Sequence, residues 1–395
     1  MGGEVKDPVR LGGADAGLDS VDVQQLDRND LHRVPQVVES PGRAAGVSPG
    51  DHVVPLLGQA CGEVGAYEPP CPGDERPHRG DHMLATVTPS ASAGPLGELT
   101  ERGCPVCGSR DDGRIFAAER LDFDALDEHA FASRKRPEHM RLRLVECPVC
   151  DLAYASPVPA PEALARAYDE AAFDSAEEAR YAAATYADEL RELIAALPER
   201  RGALDIGTGE GAFLGELLKL GFAEVGGVEP SRAPIEAADP GVASLIEHGV
   251  FAADTREPGS LNLVTCFQTI EHVPDPARLV RDAAAQLRPG GVFALVCHDR
   301  RAPLNRLLGM RSPIIDVEHM QLFSPRSVEE LLRRAGLRDI GRRTIRNRYP
   351  LRYWTRLVPL PGRLQAPLAA ALERRGLGGR PLSLGVGNML AWGRR

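Results

Sequence analysis

The stretch Leu204-Asp-Ile-Gly-Thr-Gly-Glu-Gly211 decides the fold, because it leaves a predicted strand and opens a predicted helix. Its three glycines let the backbone turn tightly and approach a ligand closely. The strand spans residues 203–206, and the helix spans residues 212–220 before Gly221 ends it. We therefore predict a ligand-binding loop between these two elements.

An acidic residue accompanies this loop. A second predicted strand, over residues 224–229, ends in Glu229, whose carboxylate can accept both hydroxyls of a ribose. The loop also contains Asp205 and Glu210. These two carboxylates would repel a pyrophosphate, but they suit a cofactor with ammonium and sulfonium groups. Charge therefore favours S-adenosylmethionine over a nicotinamide dinucleotide.

Strands and helices alternate along the rest of the chain, which predicts a parallel sheet covered by helices on both faces. The further predicted elements are a strand over 262–268, a helix over 275–287, a strand over 292–297, a helix over 328–335 and a terminal strand within 382–392.

Composition changes along the chain and predicts four parts. Residues 1–98 lack any sustained periodicity, so we predict disorder there and a true translation start at Met83. Residues 99–157 are expected to form a compact cysteine-bearing unit, and residues 158–200 a helical linker or lid. Residues 201–395 are expected to form the strand–helix domain.

Five segments resemble the motifs of the class I S-adenosylmethionine-dependent methyltransferases and occur in the same order. They are the 204–211 loop, Val228-Glu-Pro-Ser231, Ala253-Asp254, Thr269-Ile-Glu-His-Val-Pro-Asp-Pro276 and Leu287-Arg-Pro-Gly-Gly291. The resemblance implies a Rossmann-like α/β fold with a seven-stranded sheet whose last strand is antiparallel. It also implies that S-adenosylmethionine is the cofactor.

The same resemblance assigns cofactor contacts. It places the loop residues and Gln268 along the methionine side, Glu229 at the ribose and Asp254 at the adenine amine. The loop residues concerned are Asp205, Gly207, Thr208 and Gly209. One departure is Asn262, where the family often has Asp, and we expect it to weaken a structural contact.

Histidines are the candidate catalytic residues, because removing a proton from an alcohol or an acidic C–H near neutral pH needs a base. His272 follows the predicted strand at the cofactor crevice, and His319 lies in an insertion near 299–325 that we place over the sheet. His298 ends a strand and is a weaker candidate. A structural role is the alternative for each. Three aromatic residues are candidates for an acceptor lid: Tyr168, Phe173 and Tyr181.

Two Cys-x-x-Cys pairs indicate a metal site. The ligands are Cys104, Cys107, Cys147 and Cys150. Four thiolates suit tetrahedral Zn²⁺ and leave no open coordination position, so we predict a structural zinc. A redox pair is the less favoured alternative.

The zinc unit suggests two kinds of acceptor. The segments 147–157 and 167–170 resemble sugar C-methyltransferases that act on nucleotide-linked deoxysugars, although the further C-terminal domain of those enzymes is not found in this sequence. The alternative is an RNA grip, as in zinc-bearing ribosomal RNA methyltransferases. Acidic residues between the two cysteine pairs would repel phosphates. They are Asp111, Asp112, Glu119, Asp122, Asp124, Asp127 and Glu128.

Overall charge argues against a nucleic-acid binder, because the 395 residues have a net charge of −9. Residues 299–395 contain 20 arginines, no lysine and seven acidic residues. This basic region, and the alternating basic and aromatic segment 346–356 within it, could meet a diphosphate or a membrane surface that holds a lipid-linked acceptor.

We predict a cytoplasmic methyltransferase without a transmembrane segment. Its acceptor is predicted to be a small molecule such as a sugar, a glycan or a secondary metabolite, methylated on oxygen or carbon. An RNA methyltransferase and a non-catalytic cofactor-binding protein are the alternatives.

Overall fold

The computed structural model describes residues 96–111, 113–122, 130–131, 140–173, 176–357 and 362–395. The prediction of disorder over residues 1–98 lies outside the described residues as far as residue 95, and so does the start at Met83. Several of the acidic residues between the cysteine pairs also lie outside them. Leu96, in contrast, is buried in a core cluster. The described residues all belong to one compact unit of the chain.

The N-terminal part contains short strands followed by two helices. They are β1 (Leu99–Thr100), β2 (Arg114–Ala117), β3 (Leu144–Glu146), β4 (Ala153–Ala155), β5 (Val158–Pro159), α1 (Pro161–Asp169) and α2 (Ala176–Ala195). The two helices lie within residues 158–200, where the sequence predicts a helical linker or lid.

The remaining elements alternate as predicted as far as α7. They are β6 (Gly202–Ile206), α3 (Ala212–Lys219), β7 (Glu224–Glu229), α4 (Arg232–Glu236), β8 (Ile246–His248), β9 (Leu261–Phe267), α5 (Pro276–Gln286), β10 (Leu287–His298), α6 (Pro303–Leu308), β11 (Gln321–Leu322), α7 (Pro325–Arg334), β12 (Arg338–Thr344), β13 (Asn347–Pro350), α8 (Leu351–Leu357), α9 (Gly362–Arg374), β14 (Pro381–Leu384) and β15 (Asn388–Arg394).

Seven strands form the main sheet, in the order β12-β15-β10-β9-β6-β7-β8. The pairs from β10 through β8 are parallel, whereas β15 is antiparallel to both β10 and β12. This confirms the predicted seven-stranded α/β sheet with an antiparallel last strand. The predicted terminal strand is in fact two, because Gly385 to Gly387 separate β14 from β15.

Both faces of the sheet are buried. One core cluster joins Phe293 and Leu295 of β10 to α5 and α7, and the other joins Val292 and Ala294 of the same strand to α2 and α3. This alternation follows from the two-residue period of a strand. It confirms the predicted helices on both faces.

Asn262 keeps the contact that we expected to be weakened. Its side-chain Oδ1 accepts a hydrogen bond of 3.2 Å from the backbone N–H of Gly202. A neutral amide oxygen is a sufficient acceptor here, since the donor is an uncharged backbone group.

The insertion near 299–325 does not simply lie over the main sheet. Its strand β11 joins a second sheet, in the order β11-β4-β3-β2, by pairing antiparallel to β4. The cysteines and the main-sheet residue Phe293 also belong to one core cluster. The predicted separate cysteine unit is therefore packed into the strand–helix domain.

The side chain of Arg102 connects these parts. Its guanidinium donates to the backbone oxygens of Ala155, Pro274 and Met320, and also to Oε1 of Gln321. Burial lowers its pKa to about 10, which leaves the group charged at neutral pH. One arginine thus joins β4, the loop before α5 and the start of β11.

No helix among the described residues is long and apolar enough to cross a membrane.

We expect Arg102→Met to lower the free energy of unfolding by about 3 kcal/mol, because it removes the donor to the backbone oxygens of Ala155 and Pro274 and to Oε1 of Gln321. Urea denaturation of the full chain measures the change. Arg110→Met is the matched control, since Arg110 is an exposed arginine in the same segment. Equal stability of the two variants would contradict this role of Arg102.

Candidate functional site

A cavity of about 2020 Å³ opens at the carboxyl ends of β6, β7, β9 and β10. This edge of a parallel α/β sheet is where such folds bind ligands. The volume is about twice the upper end of the range of roughly 300–1,000 Å³ that is usual for a small-molecule site. The cavity therefore has room for two ligands together.

The glycine loop forms one wall, as the sequence predicts. Gly207 has a φ of 72°, and a Cβ atom there would lie 2.3 Å from Oγ1 of Thr269. A Cβ atom on Gly209, in contrast, would meet nothing within 4 Å. Gly207 is therefore required for packing under the loop, whereas Gly209 leaves open space beside it.

Asp205 lies at the base of the loop and is almost completely buried. Its Oδ1 accepts a hydrogen bond of 2.6 Å from the Thr265 hydroxyl. Burial raises the pKa of Asp205 to about 7, against the opposing effect of that hydrogen bond. The carboxyl is thus poised to ionise when a cation binds beside it.

Glu229 ends β7 and is held by two backbone donors. Its Oε2 accepts from the N–H of Gly209 at 2.8 Å, and its Oε1 accepts from the N–H of Ser231 at 2.9 Å. These contacts fix the carboxylate at the edge of the cavity, beside the loop. Each oxygen keeps a lone pair for a ligand hydroxyl.

Three buried polar atoms of cavity-lining residues have no hydrogen-bond partner among the described residues, namely Oγ1 of Thr208, Oε2 of Glu210 and Nε2 of Gln268. A carboxylate oxygen and an amide donor suit the ammonium and carboxylate of a methionine moiety. With Asp205 and Glu229, these residues fit the cofactor that the sequence predicts.

Asp254 is the exception among the predicted cofactor residues. Its side chain is exposed, and it is not among the residues that line the cavity. The preceding segment, from Gly249 to Ala252, lines the cavity instead. The geometry does not support an adenine contact by Asp254, because the loop after β8 lines the cavity with residues that precede Asp254.

Three histidines meet on the opposite side of the cavity. The ring centroid of His319 lies 4.9 Å from that of His272 and 5.3 Å from that of His298. We call these three residues the histidine cluster. Sequence reasoning proposed all three, but it gave no reason for them to be adjacent.

The histidine cluster is neutral at pH 7. Burial, together with the nearby His298, lowers the pKa of His272 to about 4. Burial also lowers the pKa of His298 and that of His319. Neutral imidazoles each retain one nitrogen that can accept a proton.

Surrounding groups orient each ring. Nδ1 of His272 lies 3.1 Å from the backbone oxygen of Glu318 and 3.2 Å from the Tyr168 hydroxyl. Nδ1 of His319 lies 2.9 Å from the backbone oxygen of Ile314. Both backbone oxygens are acceptors, so they favour a proton on Nδ1.

Of the predicted lid residues, Tyr168 and Phe173 line the cavity. Tyr181 does not, and instead packs edge-on against Tyr349 with ring centroids 6.5 Å apart. Sequence reasoning could not separate these three aromatic residues, because an aromatic side chain suits both a lid and a packed surface.

An aromatic wall was missed by the sequence analysis. Tyr349, Tyr353 and Trp354 pack together, with centroids 4.6 to 6.3 Å apart, and all three line the cavity. They come from the segment 346–356, where the exposed Arg346 and Arg348 alternate with buried residues. The predicted alternation of basic and aromatic residues is therefore present in the structure, and its aromatic residues face the cavity.

The cavity lining is acidic. Its basic side chains, apart from the histidines, are Arg278 and Arg311. Its acidic side chains are Glu162, Glu178, Asp205, Glu210, Glu229, Asp275, Asp282, Asp316 and Glu318. This excess favours a cationic ligand and opposes a highly anionic one.

The four predicted metal ligands come together outside this cavity. Their sulfur atoms all lie within 4.8 Å of one another, and the Cys104–Cys150 and Cys107–Cys147 pairs are 3.4 Å apart. Zinc with four sulfur ligands at ~2.3 Å places them about 3.8 Å apart. The cluster thus has the donor set and the spacing of a tetrahedral thiolate site.

A charge network fastens this cluster to the end of β10. Asp151 follows the second cysteine pair at a φ of 66°, a backbone conformation that favours glycine. Its carboxylate pairs with Arg300 and Arg301, which also pair with Glu146. These ion pairs, and not the turn alone, therefore account for an aspartate at position 151.

Comparisons with known proteins identify the kind of domain. A methyltransferase-domain family model matches residues 178–340. A ubiquinone biosynthesis O-methyltransferase of Ralstonia nicotianae is 37% identical over 116 residues, which is 27% of this chain and 48% of that protein. The protein of the same name from Burkholderia pseudomallei is 30% identical over 159 residues, 36% of this chain and 67% of its own length.

A solved SAM-dependent methyltransferase from Archaeoglobus fulgidus is 17% identical with a TM-score of 0.38, and the match covers 55% of this chain and 97% of that one. The first curated relatives match over about half of their own length. On the sequence matches, the chain belongs to the class I S-adenosylmethionine-dependent methyltransferases.

The buried Asp205 makes stability depend on pH. Its pKa of about 7 in the folded state exceeds the unfolded value of ~3.9, so the folded state binds more protons between these values. The free energy of unfolding therefore falls as the pH rises from about 4 to about 7, and it levels off above that. We expect Asp205→Asn to raise the free energy of unfolding at pH 8 by up to about 4 kcal/mol.

Urea denaturation at pH 6 and pH 8 measures this effect. Glu271, with a pKa also raised to about 7 by burial, keeps part of the dependence in the variant. Asp188→Asn is the control, because Asp188 is exposed. A variant at Asp205 that is less stable than the parent at pH 8 would be inconsistent with this account.

Proposed function

We propose that this protein transfers a methyl group from S-adenosylmethionine to a hydroxyl group of a small-molecule acceptor. The observation that carries the proposal is that one cavity is lined both by the glycine loop with Glu229 and by the histidine cluster. O-methylation is favoured over C-methylation because the curated relatives are O-methyltransferases by name.

We propose that the predicted residues, with Asp254 excepted, form the cofactor half of the cavity. Asp205 and Glu210 would stabilise the cationic methionine end, and Gln268 would donate to its carboxylate. Glu229 would accept the ribose hydroxyls, and the open space beside Gly209 lets the ligand approach the backbone. When bound, the cofactor supplies a sulfonium-activated methyl group.

The acceptor half contains the histidine cluster, including the predicted His272 and His319. Methyl transfer is an in-line displacement, so the main tasks of the protein are to orient the hydroxyl and to accept its proton. The neutral imidazoles can accept this proton, and Tyr168 closes the site above His272.

The four cysteines are proposed to hold a structural zinc ion. All four lie buried, so no position is left for a substrate at the metal. The ion would stabilise the sheet to which β11 belongs, and through it the segment that carries His319 into the cavity.

Other functions receive less support. An RNA methyltransferase, or a C-methyltransferase of nucleotide-linked sugars, would bring phosphates to an acidic cavity. A lipid-linked glycan at the basic C-terminal region and a cytoplasmic location stay predictions from sequence. A non-catalytic cofactor-binding protein is the remaining alternative.

Transfer of labelled methyl from S-adenosylmethionine into fractionated cell extract tests the proposal. We expect label in the small-molecule fraction with the full chain. Glu229→Gln should weaken S-adenosylhomocysteine binding by about 10-fold or more, as expected for a lost charged hydrogen bond. Calorimetry measures this binding, with Glu236→Gln on α4 as the exposed control.

Label in RNA would support the RNA alternative and contradict the small-molecule acceptor. Cofactor binding without label in any fraction would favour the non-catalytic alternative.

Metal analysis tests the zinc proposal. We expect one zinc per chain in protein from zinc-supplemented culture, and loss of zinc with lower stability in Cys107→Ser, because three thiolates hold the ion less tightly. Cys266→Ala, which removes a thiol elsewhere in the core, should keep its zinc. Metal-free parent protein would refute the site.

A further inference from the structure

A chain of hydrogen bonds runs from the aromatic wall to the histidine cluster. The Asn347 amide donates to the Tyr349 hydroxyl at 3.0 Å, and the Asn388 amide donates to Oδ1 of Asn347 at 3.2 Å. Oδ1 of Asn388 lies 2.7 Å from Nδ1 of His298. All four side chains line the cavity.

This chain determines the tautomer of His298. Because both amide groups of the two asparagines donate toward Tyr349, Oδ1 of Asn388 faces His298 as an acceptor. Nδ1 of His298 must therefore carry the proton and donate it, which leaves the lone pair on Nε2. His298 and Asn388 are opposite each other in the β10–β15 ladder, so the backbone holds the pair together.

The other two histidines are placed less favourably. His319 is only 7% exposed, and His272 has its Nδ1 between the Glu318 carbonyl and the Tyr168 hydroxyl. His298 is more exposed than His319, and its backbone N–H is anchored at 2.7 Å on Oε1 of the buried Glu271. His298 is thus the member of the histidine cluster whose backbone and Nδ1 are both held, by Glu271 and by Asn388.

We propose that His298 is the residue that accepts the acceptor's proton, and that Asn388, supported by Asn347 and Tyr349, is its positioning residue. This inference rests on the proposed methyl transfer. The O–H bond breaks and the proton passes to Nε2 of His298, as the oxygen gains the methyl group and the sulfonium becomes the neutral thioether of S-adenosylhomocysteine. The imidazolium then returns its proton to solvent.

The same geometry indicates the class of acceptor. The wall of Tyr349, Tyr353 and Trp354 offers aromatic surface at the other end of the hydrogen-bond chain, and such surfaces favour flat rings. The nine acidic residues of the lining oppose a phosphate. The structure assigns a planar, hydroxylated ring without phosphate to this subsite.

The tautomer is tested by ¹⁵N NMR of histidine-labelled full-length protein saturated with S-adenosylhomocysteine. His298→Gln identifies the resonance. We expect Nδ1–H with an unprotonated Nε2 in the parent protein, loss of that signature in Asn388→Leu, and its return in Asn388→Asp, which restores an acceptor oxygen. An Nε2–H tautomer or an imidazolium at pH 7.5 in the parent would overturn the assignment.

The acceptor class is tested with the fluorescence of Trp354, one of two tryptophans in the chain. In Trp392→Phe, which leaves Trp354 as the sole reporter, hydroquinone should quench at lower concentration than thymidine diphosphate. Quenching by the diphosphate alone, by both equally or by neither would overturn the class. Calorimetry with S-adenosylhomocysteine on the same sample separates a failure of the proposed function from a failure of this inference.

Discussion

The pairing of β11 with β4 is the constraint on which the acceptor half of the cavity depends. It joins a two-residue strand of the insertion to the sheet that bears the cysteines. Just before β11, the N–H of Met320 donates to the backbone oxygen of Glu271 at 2.9 Å, while the Gln321 amide donates to the oxygens of Ile270 and Val273. These bonds hold the loop after β9 against the insertion. So short a strand has little stability of its own, and the buried Arg102 supplies the donors that complete the junction.

In the proposed function, electrostatics divide the cavity into two halves with different tasks. On the cofactor side, burial raises the pKa of Asp205 to about 7. A bound cation can offset the energetic cost of burying the charged carboxylate. On the acceptor side, burial keeps the histidines uncharged. Neutral imidazoles beside a cationic cofactor avoid like-charge repulsion and remain able to accept a proton. Burial therefore serves both halves, by raising the pKa of an acid in one and lowering that of bases in the other.

The cysteine cluster is joined to the sheet by Asp151, Arg300 and Arg301. Arg300 has a side chain only 1% exposed and pairs with two carboxylates, so its charge is compensated inside the protein. It follows His298 by two residues at the end of β10. A structural ion at the cysteines would thus stabilise the same strand end that presents His298 to the cavity.

The sequence by itself determined the main sheet, the glycine loop, Glu229 and the four cysteines. These features depend on local periodicity and on short fixed spacings, such as the two residues within each cysteine pair. The tertiary structure decided the rest, because it depends on contacts between distant segments. Asn388 meets His298 across 90 residues, the wall residue Tyr349 turns inward while Arg348 faces solvent, and Asp254 lies outside the cavity. Strand pairing decides which distant segments meet, and the spacing within one segment does not contain this information.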